Sequence, residues 1–167
     1  MGTAFNGNTT ITKFHELYYF SKIQNSGLPN GGCFKNCTAL TEVTLPPNIT
    51  DMNSIFIGCR ALKKVYLPSG YVTFHYGVFE CNGSNTEVFI PSLKSTNAGA
   101  LYNGTYILVM SETTPTVNVP GASARISKVY VPDESVDAYK TAWSAVAAKI
   151  YPLSDYDGDI VSPILRR

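Results

Sequence analysis

The apolar positions of this chain recur with a period of about 22 residues. Cys37, Cys59 and Cys81 stand 22 residues apart, and the first two have a phenylalanine three positions before them and a leucine three positions after them. The unit F-x-x-C-x-x-L-x-x-V-x-L-P is matched fully twice and more loosely a third time. Its final part, an alternating apolar–polar triplet followed by proline, occurs at residues 43–46, 65–68, 88–91 and 129–132.

A short strand is predicted at each V-x-L triplet. Alternation with a period of two puts the valine and the leucine on one side and the residue between them on the other. The proline has no N–H group to donate, so it ends the strand. One such strand cannot bury its apolar side alone, whereas parallel stacking of successive copies makes one continuous core of Val, Leu, Phe and Cys. The pattern therefore predicts a solenoid, whose two open ends need caps of different sequence.

The repeat resembles the leucine-rich repeats of the BspA-like group, which is found in bacterial surface proteins. The resemblance implies a leucine-rich-repeat solenoid, a right-handed β/α superhelix of mostly short parallel strands with a C-terminal capping helix. Between Pro91 and Thr113 no cysteine and no F-x-x-C element occurs, so the register of the repeat is open there. The residues that carry the resemblance are 36–46, 58–68, 113–115, 128–132 and 135–144.

A single structural domain with three parts is predicted. In the first part, Phe14, Leu17 and Tyr18 stand at i, i+3 and i+4, which predicts a short amphipathic helix over residues 12–20. This helix would cover the open end of the first repeat. The three parts are an N-terminal cap at 1–32, leucine-rich repeats at 33–132 with a degenerate stretch at about 92–127, and a C-terminal capping helix and tail at 133–167.

The C-terminal cap is predicted as one helix of about 17 residues. Asp133 is a favourable N-cap residue, and Pro152 ends the segment. Because a solenoid exposes its core at the last strand, capping is the expected role of this helix, and binding of a partner is the alternative. The apolar stripe, with spacings of 3, 4, 3 and 4, is Val136, Tyr139, Trp143, Val146 and Ile150.

Composition and charge exclude several classes of protein. Hydrophobic residues make up 44% and charged residues 15% of the chain, which suits a packed core rather than a disordered chain. The net charge is +1 and no basic run occurs, so no nucleic-acid partner is expected. No apolar stretch approaches the roughly 20 residues that cross a bilayer, so no membrane insertion is expected. The resemblance implies a secreted or cell-surface location, although this chain shows no secretion signal.

No constellation of residues in the sequence points to catalysis. His15 and His75 are the two histidines, and neither belongs to a motif that pairs a base with a serine or cysteine nucleophile. We interpret both as surface or half-buried residues. The sequence therefore predicts that the protein is not an enzyme and uses no cofactor.

The four cysteines are interpreted as core residues. Cys37, Cys59 and Cys81 recur once per repeat, so stacking places them in one row at about the 4.8 Å strand spacing. Three thiols in a row cannot surround a tetrahedral zinc ion, and they cannot all pair as disulfides. Their expected role is that of small buried hydrophobes. Cys33 lies outside the row, and a disulfide or a zinc site with Cys37 remains an open alternative.

An acidic segment near the C-terminus is similar to the start of a calcium-binding loop. It consists of Asp155, Asp157 and Asp159 with Gly158 between the last two. A calcium loop also needs a bidentate acid at its twelfth position, where Arg166 stands instead. We therefore interpret this segment as an exposed acidic turn and expect no metal site.

A candidate binding face follows from the stacking of the strands. The middle residue of each triplet should lie on the exposed face of the sheet, beside the residue two positions earlier. The aromatic side chains offer amphipathic area suited to a partner, and the alternating charges form favourable cross-strand pairs. Alternatively, the aromatic side chains only stack on one another and stiffen the sheet. The candidate ligand-binding residues are Thr44, Tyr66, Phe89, Tyr130, Glu42, Lys64, Glu87 and Lys128.

The function that the resemblance implies is a non-catalytic binding or adhesion module. Its partner would be a protein or a glycan, with host extracellular matrix among the candidates. The alternative is a structural accessory domain of a larger assembly, such as a phage tail or fibre or a cell-surface scaffold. We take Tyr66, Phe89 and Tyr130 to mark the recognition face, so replacing Tyr66 and Phe89 with Ser is expected to weaken partner binding without unfolding the protein.

Overall fold

Ten short strands form two parallel sheets in the described part of the chain. The computed structural model describes residues 5–20, 32–49, 51–70, 72–81, 83, 85–97, 99–115, 118–119 and 123–161. The strands are β1 (Lys13–Phe14), β2 (Glu42–Thr44), β3 (Asp51–Met52), β4 (Lys64–Tyr66), β5 (Val72–Phe74), β6 (Thr86–Ile90), β7 (Leu93–Thr96), β8 (Tyr106–Met110), β9 (Ile126–Val131) and β10 (Ile150–Pro152). The larger sheet has the order β1-β2-β4-β6-β8-β9-β10, and the smaller sheet has the order β3-β5-β7.

Helical segments are short throughout the described residues. The single α-helix among them is α1 (Val136–Ala142). Short strands that all pair in parallel are therefore the main elements, as predicted. The 3₁₀ helices are Glu16–Tyr19, Ser123–Arg125, Asp133–Ser135, Ser144–Lys149 and Leu153–Asp155.

The core-facing residues of the larger sheet stand side by side, one from each repeat. The register pairs Val43 with Val65 and Val65 with Val88, as the repeat spacing predicts. The series continues through Leu108 and Val129, and all five side chains are fully buried. Residues of both sheets belong to one hydrophobic core. The parallel strands fit a repeat solenoid, while its right-handed superhelical course stays a prediction.

A column of stacked phenylalanine rings runs through the repeats. The ring centroids lie 5.8 Å apart between Phe34 and Phe56, and 5.7 Å apart between Phe56 and Phe79. Phe5 extends this column, because its ring lies 5.2 Å from that of Phe34 with an interplanar angle of 3°. Such aromatic pairs contribute about 0.5–1.5 kcal/mol each beyond the apolar area that they bury. The column therefore reaches into residues 1–32, which were predicted as a cap.

The helix predicted over residues 12–20 is wrong. Lys13–Phe14 forms β1, which pairs in parallel with β2, and Glu16–Tyr19 is a single 3₁₀ turn. Ile11 precedes Phe14 by three positions, which is also the spacing of leucine and valine in the repeat unit. Apolar residues at i and i+3 therefore fit both a helix and the repeat, and hydrogen bonding to β2 decides for the strand.

Two thiols of the cysteine row, those of Cys37 and Cys59, donate hydrogen bonds to main-chain carbonyl groups that precede them in the chain. The sulfur of Cys37 lies 2.9 Å from the oxygen of Phe5, and that of Cys59 lies 2.8 Å from the oxygen of Phe34. All four cysteines are buried and free, which confirms the core interpretation. Cys33 forms no disulfide with Cys37, so that alternative is wrong. Burial raises the pKa of Cys59 to about 12, so this thiol stays protonated at neutral pH.

The degenerate stretch keeps the register with the preceding repeat without a cysteine, whereas its register with β9 shifts between Tyr106 and Ile107. Strand β8 pairs with β6 through Val88 and Leu108, which are 20 residues apart rather than 22. The buried hydroxyl group of Tyr106 donates to the carbonyl oxygen of Phe79, and its oxygen lies 2.9 Å from the carbonyl oxygen of Tyr102. This hydroxyl therefore acts on a phenylalanine carbonyl group as the thiols do in the earlier repeats.

The C-terminal cap differs from the single helix of about 17 residues that was predicted. Helix α1 ends at Ala142, Ser144–Lys149 is a 3₁₀ helix, and Ile150 begins β10. Trp143 lies between the two helices with φ −109° and ψ 49°, outside the α-helical region. The predicted helix length is wrong, and the capping role stays a prediction. Residues 162–167 of the predicted tail and residues 21–31 of the N-terminal cap lie outside the described residues.

The apolar stripe of this segment is buried although the helix is interrupted. A 3₁₀ helix has three residues per turn, so Trp143 and Val146 stay on one side. The ammonium group of Lys149 lies 2.9 Å from the carbonyl oxygen of Ser123 and 2.6 Å from that of Ile126. These hydrogen bonds hold the chain beside β9 where it turns into β10. The stripe residues that are 3% exposed or less are Tyr139, Trp143, Val146 and Ile150.

Tyr106→Phe should lower the free energy of unfolding by about 1–2 kcal/mol, because it leaves the carbonyl oxygen of Phe79 without its buried hydroxyl donor. Guanidinium chloride unfolding followed by circular dichroism measures this loss. Tyr102→Phe is the matched control, since Tyr102 is 40% exposed, and it should change the stability by at most about 0.5 kcal/mol. Equal stability of Tyr106→Phe and the unchanged protein would show that this hydroxyl does not stabilise the degenerate repeat.

Candidate recognition face

The outer face of the larger sheet, opposite the core, brings the eight predicted residues together in two rows. The strands align them as neighbours from β2 to β9, with Val109 and Ile107 of β8 filling the positions of the degenerate repeat. Sequence reasoning missed these two residues because it lacked the register there, although the run Tyr-Ile-Leu-Val-Met at 106–110 is continuously apolar, as in a strand that is buried on both faces. The aromatic row is Thr44, Tyr66, Phe89, Val109 and Tyr130, and the more exposed Tyr151 of β10 pairs with Tyr130 at its end. The charged row is Lys13, Glu42, Lys64, Glu87, Ile107 and Lys128.

A compact polar cluster closes the N-terminal end of the outer face. His15 reaches Thr44 through Nδ1 at 2.9 Å and Glu42 through Nε2 at 3.3 Å. The ammonium group of Lys13 lies 2.7 Å from the other carboxylate oxygen of Glu42. Burial by itself would raise the pKa of Glu42, but hydrogen bonds and charge from Lys13 and His15 outweigh it and lower the pKa. These contacts with β2 fix the half-buried side chain of His15 against the larger sheet.

The remaining charged residues pair only in part as expected. Lys64 and Glu87 form the predicted cross-strand ion pair at 3.3 Å. Ile107 stands between Glu87 and Lys128, and the ammonium group of Lys128 instead lies 3.3 Å from the hydroxyl oxygen of Tyr130. This hydrogen bond raises the pKa of Lys128. The degenerate strand thus separates the last two charged positions.

The aromatic row is buried, so its predicted exposure is wrong. Thr44 is 2% exposed, Tyr66 and Phe89 are 5% exposed, and Tyr130 is 8% exposed. The rings of Tyr66 and Phe89 stack with centroids 4.4 Å apart. With Val109, the three aromatic residues form a second hydrophobic cluster, separate from the main core. Their stacking matches the alternative that cross-strand aromatic contacts stiffen the sheet.

The cover over this row is the C-terminal strap, which we define as residues 153–161. Leu153 and Tyr156 pack against the second cluster. The ring of Tyr156 lies 6.0 Å from that of Phe89 and 5.1 Å from that of Tyr130. Between these two rings the row has the smaller side chain of Val109. Tyr156 therefore occupies the place where the aromatic row is interrupted.

Two polar contacts orient the strap. The hydroxyl group of Tyr156 donates to a carboxylate oxygen of Glu87 at 2.8 Å, and the N–H group of Ser154 donates to Asp133 at 3.0 Å. Burial raises the pKa of Tyr156, and the hydrogen bond to the negative Glu87 raises it further. Tyr156 is therefore a neutral donor at physiological pH.

A groove of about 140 Å³ remains open beside the strap. Tyr18 borders it towards the N-terminus, Thr44, Tyr66 and Phe89 contribute to its floor, and Ile160 and Val161 of the strap also line it. Ile160 is 46% exposed and Val161 is 40% exposed. This groove is an apolar and partly aromatic opening towards the outer face.

The histidine and the acidic residues considered for chemistry from the sequence, His75, Asp155, Asp157 and Asp159, do not line the groove. His75 is half-exposed and lies 3.1 Å from a carboxylate oxygen of Asp51 on the smaller sheet. Asp155, Asp157 and Asp159 are exposed, as predicted for an acidic turn, and they belong to the strap. None of these residues joins a group of three potential metal ligands within the described part of the chain.

Most of the repeat region matches one known family. The chain matches the BspA type leucine rich repeat region in six copies over residues 3–119, and it therefore belongs to this family, as its repeat unit predicted. This family is one of protein-interaction or adhesion repeat modules, generally non-enzymatic and typically surface-associated. Comparison with curated proteins and with solved structures gave no match. No helix in the described ranges is long and apolar enough to span a membrane.

Phe89→Ala should lower the free energy of unfolding by about 3–5 kcal/mol, because it empties a buried position between Tyr66 and Tyr156. Replacement of Phe89 by Ser is therefore also expected to destabilise the protein, contrary to the expectation from the sequence. Thermal and denaturant unfolding measure the change. Tyr19→Ala, at a side chain that is 65% exposed, is the control and should stay within about 0.5 kcal/mol. Similar losses for both variants would contradict the packing of the aromatic row.

The contact between Tyr156 and Glu87 should weaken at alkaline pH. The pKa of the Tyr156 hydroxyl group is raised in the folded protein. As pH rises, this hydroxyl therefore loses its proton first in the unfolded state, near the ordinary tyrosine value of about 10. The stabilisation is fully present below that value and is lost as pH rises through the raised folded pKa. Unfolding measured at several pH values above about 9 should show a steeper loss for the unchanged protein than for Tyr156→Phe. Equal slopes would contradict this linkage.

Proposed function

We propose that this protein is a non-catalytic recognition module that binds a protein or glycan partner through the outer face of its larger sheet. The alignment of aromatic and charged residues in two adjacent rows is the observation that carries the proposal. Tyrosine and phenylalanine side chains combine large apolar area with few rotatable bonds, which suits recognition. The eight residues named from the sequence are the candidate ligand-binding set. Membership of a family of interaction and adhesion modules supports the same conclusion.

The open groove is the part of this face that a partner can reach while the strap is in place. Its aromatic floor would contact an apolar side chain or the apolar face of a sugar ring. The neighbouring row provides carboxylate and ammonium groups at Glu42 and Lys64 for polar contacts at the rim. A secreted or cell-surface location, with host extracellular matrix among the candidate partners, fits a module of this kind.

A binding screen of the full chain against extracellular-matrix proteins and a glycan array tests the proposal. Ser111 is exposed and lines the groove, so Ser111→Arg should obstruct it and weaken binding at least about tenfold, equivalent to about 1.4 kcal/mol. Ser144→Arg, at an exposed position outside the groove, is the matched control and should leave affinity unchanged. A partner that binds both variants as tightly as the unchanged protein would contradict recognition through the groove.

A structural accessory domain of a larger assembly is the second candidate function. The observation in its favour is that the aromatic row is already buried within the chain, where stacking stiffens the sheet. On this proposal the protein would sediment with a phage particle or a cell-surface scaffold at fixed stoichiometry. Recovery from its native source only as a free monomer would contradict it.

A further inference from the structure

We propose that the C-terminal strap occupies the outer face in competition with an external ligand, and that this ligand is an extended peptide segment. That segment would present an aliphatic residue followed three positions later by a tyrosine, as Leu153 and Tyr156 do. The inference rests on the proposed function, because it takes the outer face to be the recognition surface. It goes further in naming the chemistry of the partner and the element that controls access to it.

The ring of Tyr156 occupies the gap in the aromatic row at Val109, which we call the seat, and this gap accommodates one aromatic ring. In the aromatic row, Phe89 and Tyr130 flank the small side chain of Val109. The ring of Tyr156 lies above this gap, at 6.0 Å and 5.1 Å from the flanking rings. A ring brought from outside the sheet therefore completes the row, and a ring from another chain could make the same contacts.

A polar group at this seat selects a hydroxyl donor. The carboxylate of Glu87 accepts from the hydroxyl group of Tyr156 at 2.8 Å, while Lys64 lies 3.3 Å from the same carboxylate oxygen. A hydrogen bond to a charged acceptor is stronger than one between neutral groups. A phenylalanine in this seat would leave the carboxylate without that donor, so the seat favours tyrosine.

The strap itself has features of a segment that can be released. Beyond the 3₁₀ turn at Leu153–Asp155, residues 156–161 belong to no helix or strand. Its carboxylates at Asp155, Asp157 and Asp159 are exposed, so release does not need to rehydrate them. Segments that bury few apolar side chains open at much lower free energy than the whole fold. The strap can therefore leave while the repeats remain folded.

Covalent attachment explains how so small a segment can block the face. A tethered segment acts at an effective concentration in the millimolar range, so a free peptide at micromolar concentration competes poorly with it. Weakening the strap by substitution should thus expose the seat to an added peptide. The full chain can be used for this comparison, since the substitutions lie outside the repeats.

The test uses a fluorescent peptide with the sequence of residues 152–161 of this chain, titrated by anisotropy with the full-length protein. The release variant carries Leu153→Ser and Tyr156→Ser, and Asp155→Ser is the matched strap control because its side chain is exposed. The release variant should bind the peptide at least about tenfold more tightly than the unchanged protein and the control. A peptide carrying Tyr156→Phe should bind the release variant about tenfold more weakly.

Three outcomes overturn the proposal. A release variant with native circular dichroism that binds the peptide no better than the unchanged protein shows that the face does not accept such a segment. Tight binding by the unchanged protein shows that the strap does not block the face. Dimers of the unchanged protein that disappear in the release variant show that the strap serves a second copy instead.

Screening the same partner panel with the unchanged protein and the release variant separates this inference from the proposed function. Protein partners that bind the release variant more tightly support both the proposed function and masking of the outer face by the strap. Partners that bind both proteins equally support recognition but overturn masking by the strap. Peptide binding without any partner in the panel supports the strap as competitor and counts against the proposed function. Release that exposes a glycan site and no peptide site overturns the peptide class.

Discussion

Parallel stacking of the strands in register is the constraint on which the rest of this structure depends. Because each strand pairs with the equivalent residues of the next, a residue type that recurs once per repeat becomes a column in space. Valine and leucine form the inner column of the larger sheet, and phenylalanine forms the stacked column beside it. The same register aligns aromatic and charged side chains on the outer face. Parallel stacking in register therefore produces both the core and the candidate site.

Where one repeat lacks a residue of the pattern, another side chain makes the contact that the missing residue would have made. The fourth repeat lacks a cysteine, and the hydroxyl group of Tyr106 hydrogen-bonds to the phenylalanine carbonyl group in its place. The same repeat lacks an aromatic residue at Val109, and Tyr156 of the strap covers the gap. The first departure would leave a buried acceptor without a donor, which Tyr106 of the same repeat provides. The second would leave an apolar surface exposed, which Tyr156 of the distant strap covers.

The strap limits how the outer face could act in the proposed recognition. An open row of tyrosine and phenylalanine would be a contiguous apolar patch, which promotes non-specific association. Covering most of the row while a groove stays open limits that patch and keeps part of the face available. The acidic residues of the strap remain in solvent, so the cover presents a polar outer side. A partner that reaches the full row must therefore displace a segment of the chain itself.

The repeat spacing was enough to predict the strands at the four V-x-L triplets, the buried cysteines and the alignment of the two outer rows, because these follow from local alternation and one period. It did not predict the smaller sheet of β3, β5 and β7. It could not predict the strand at Lys13–Phe14 or the break at Trp143, since apolar residues three apart suit a strand repeat, an α-helix and a 3₁₀ helix alike. Nor could it predict that the aromatic row is buried. Tyr156 follows its acceptor Glu87 by 69 positions, and no local pattern connects residues so far apart in the chain. Only the folding of the strap over the completed sheet brings them into contact, so burial of the candidate face was decided by tertiary packing.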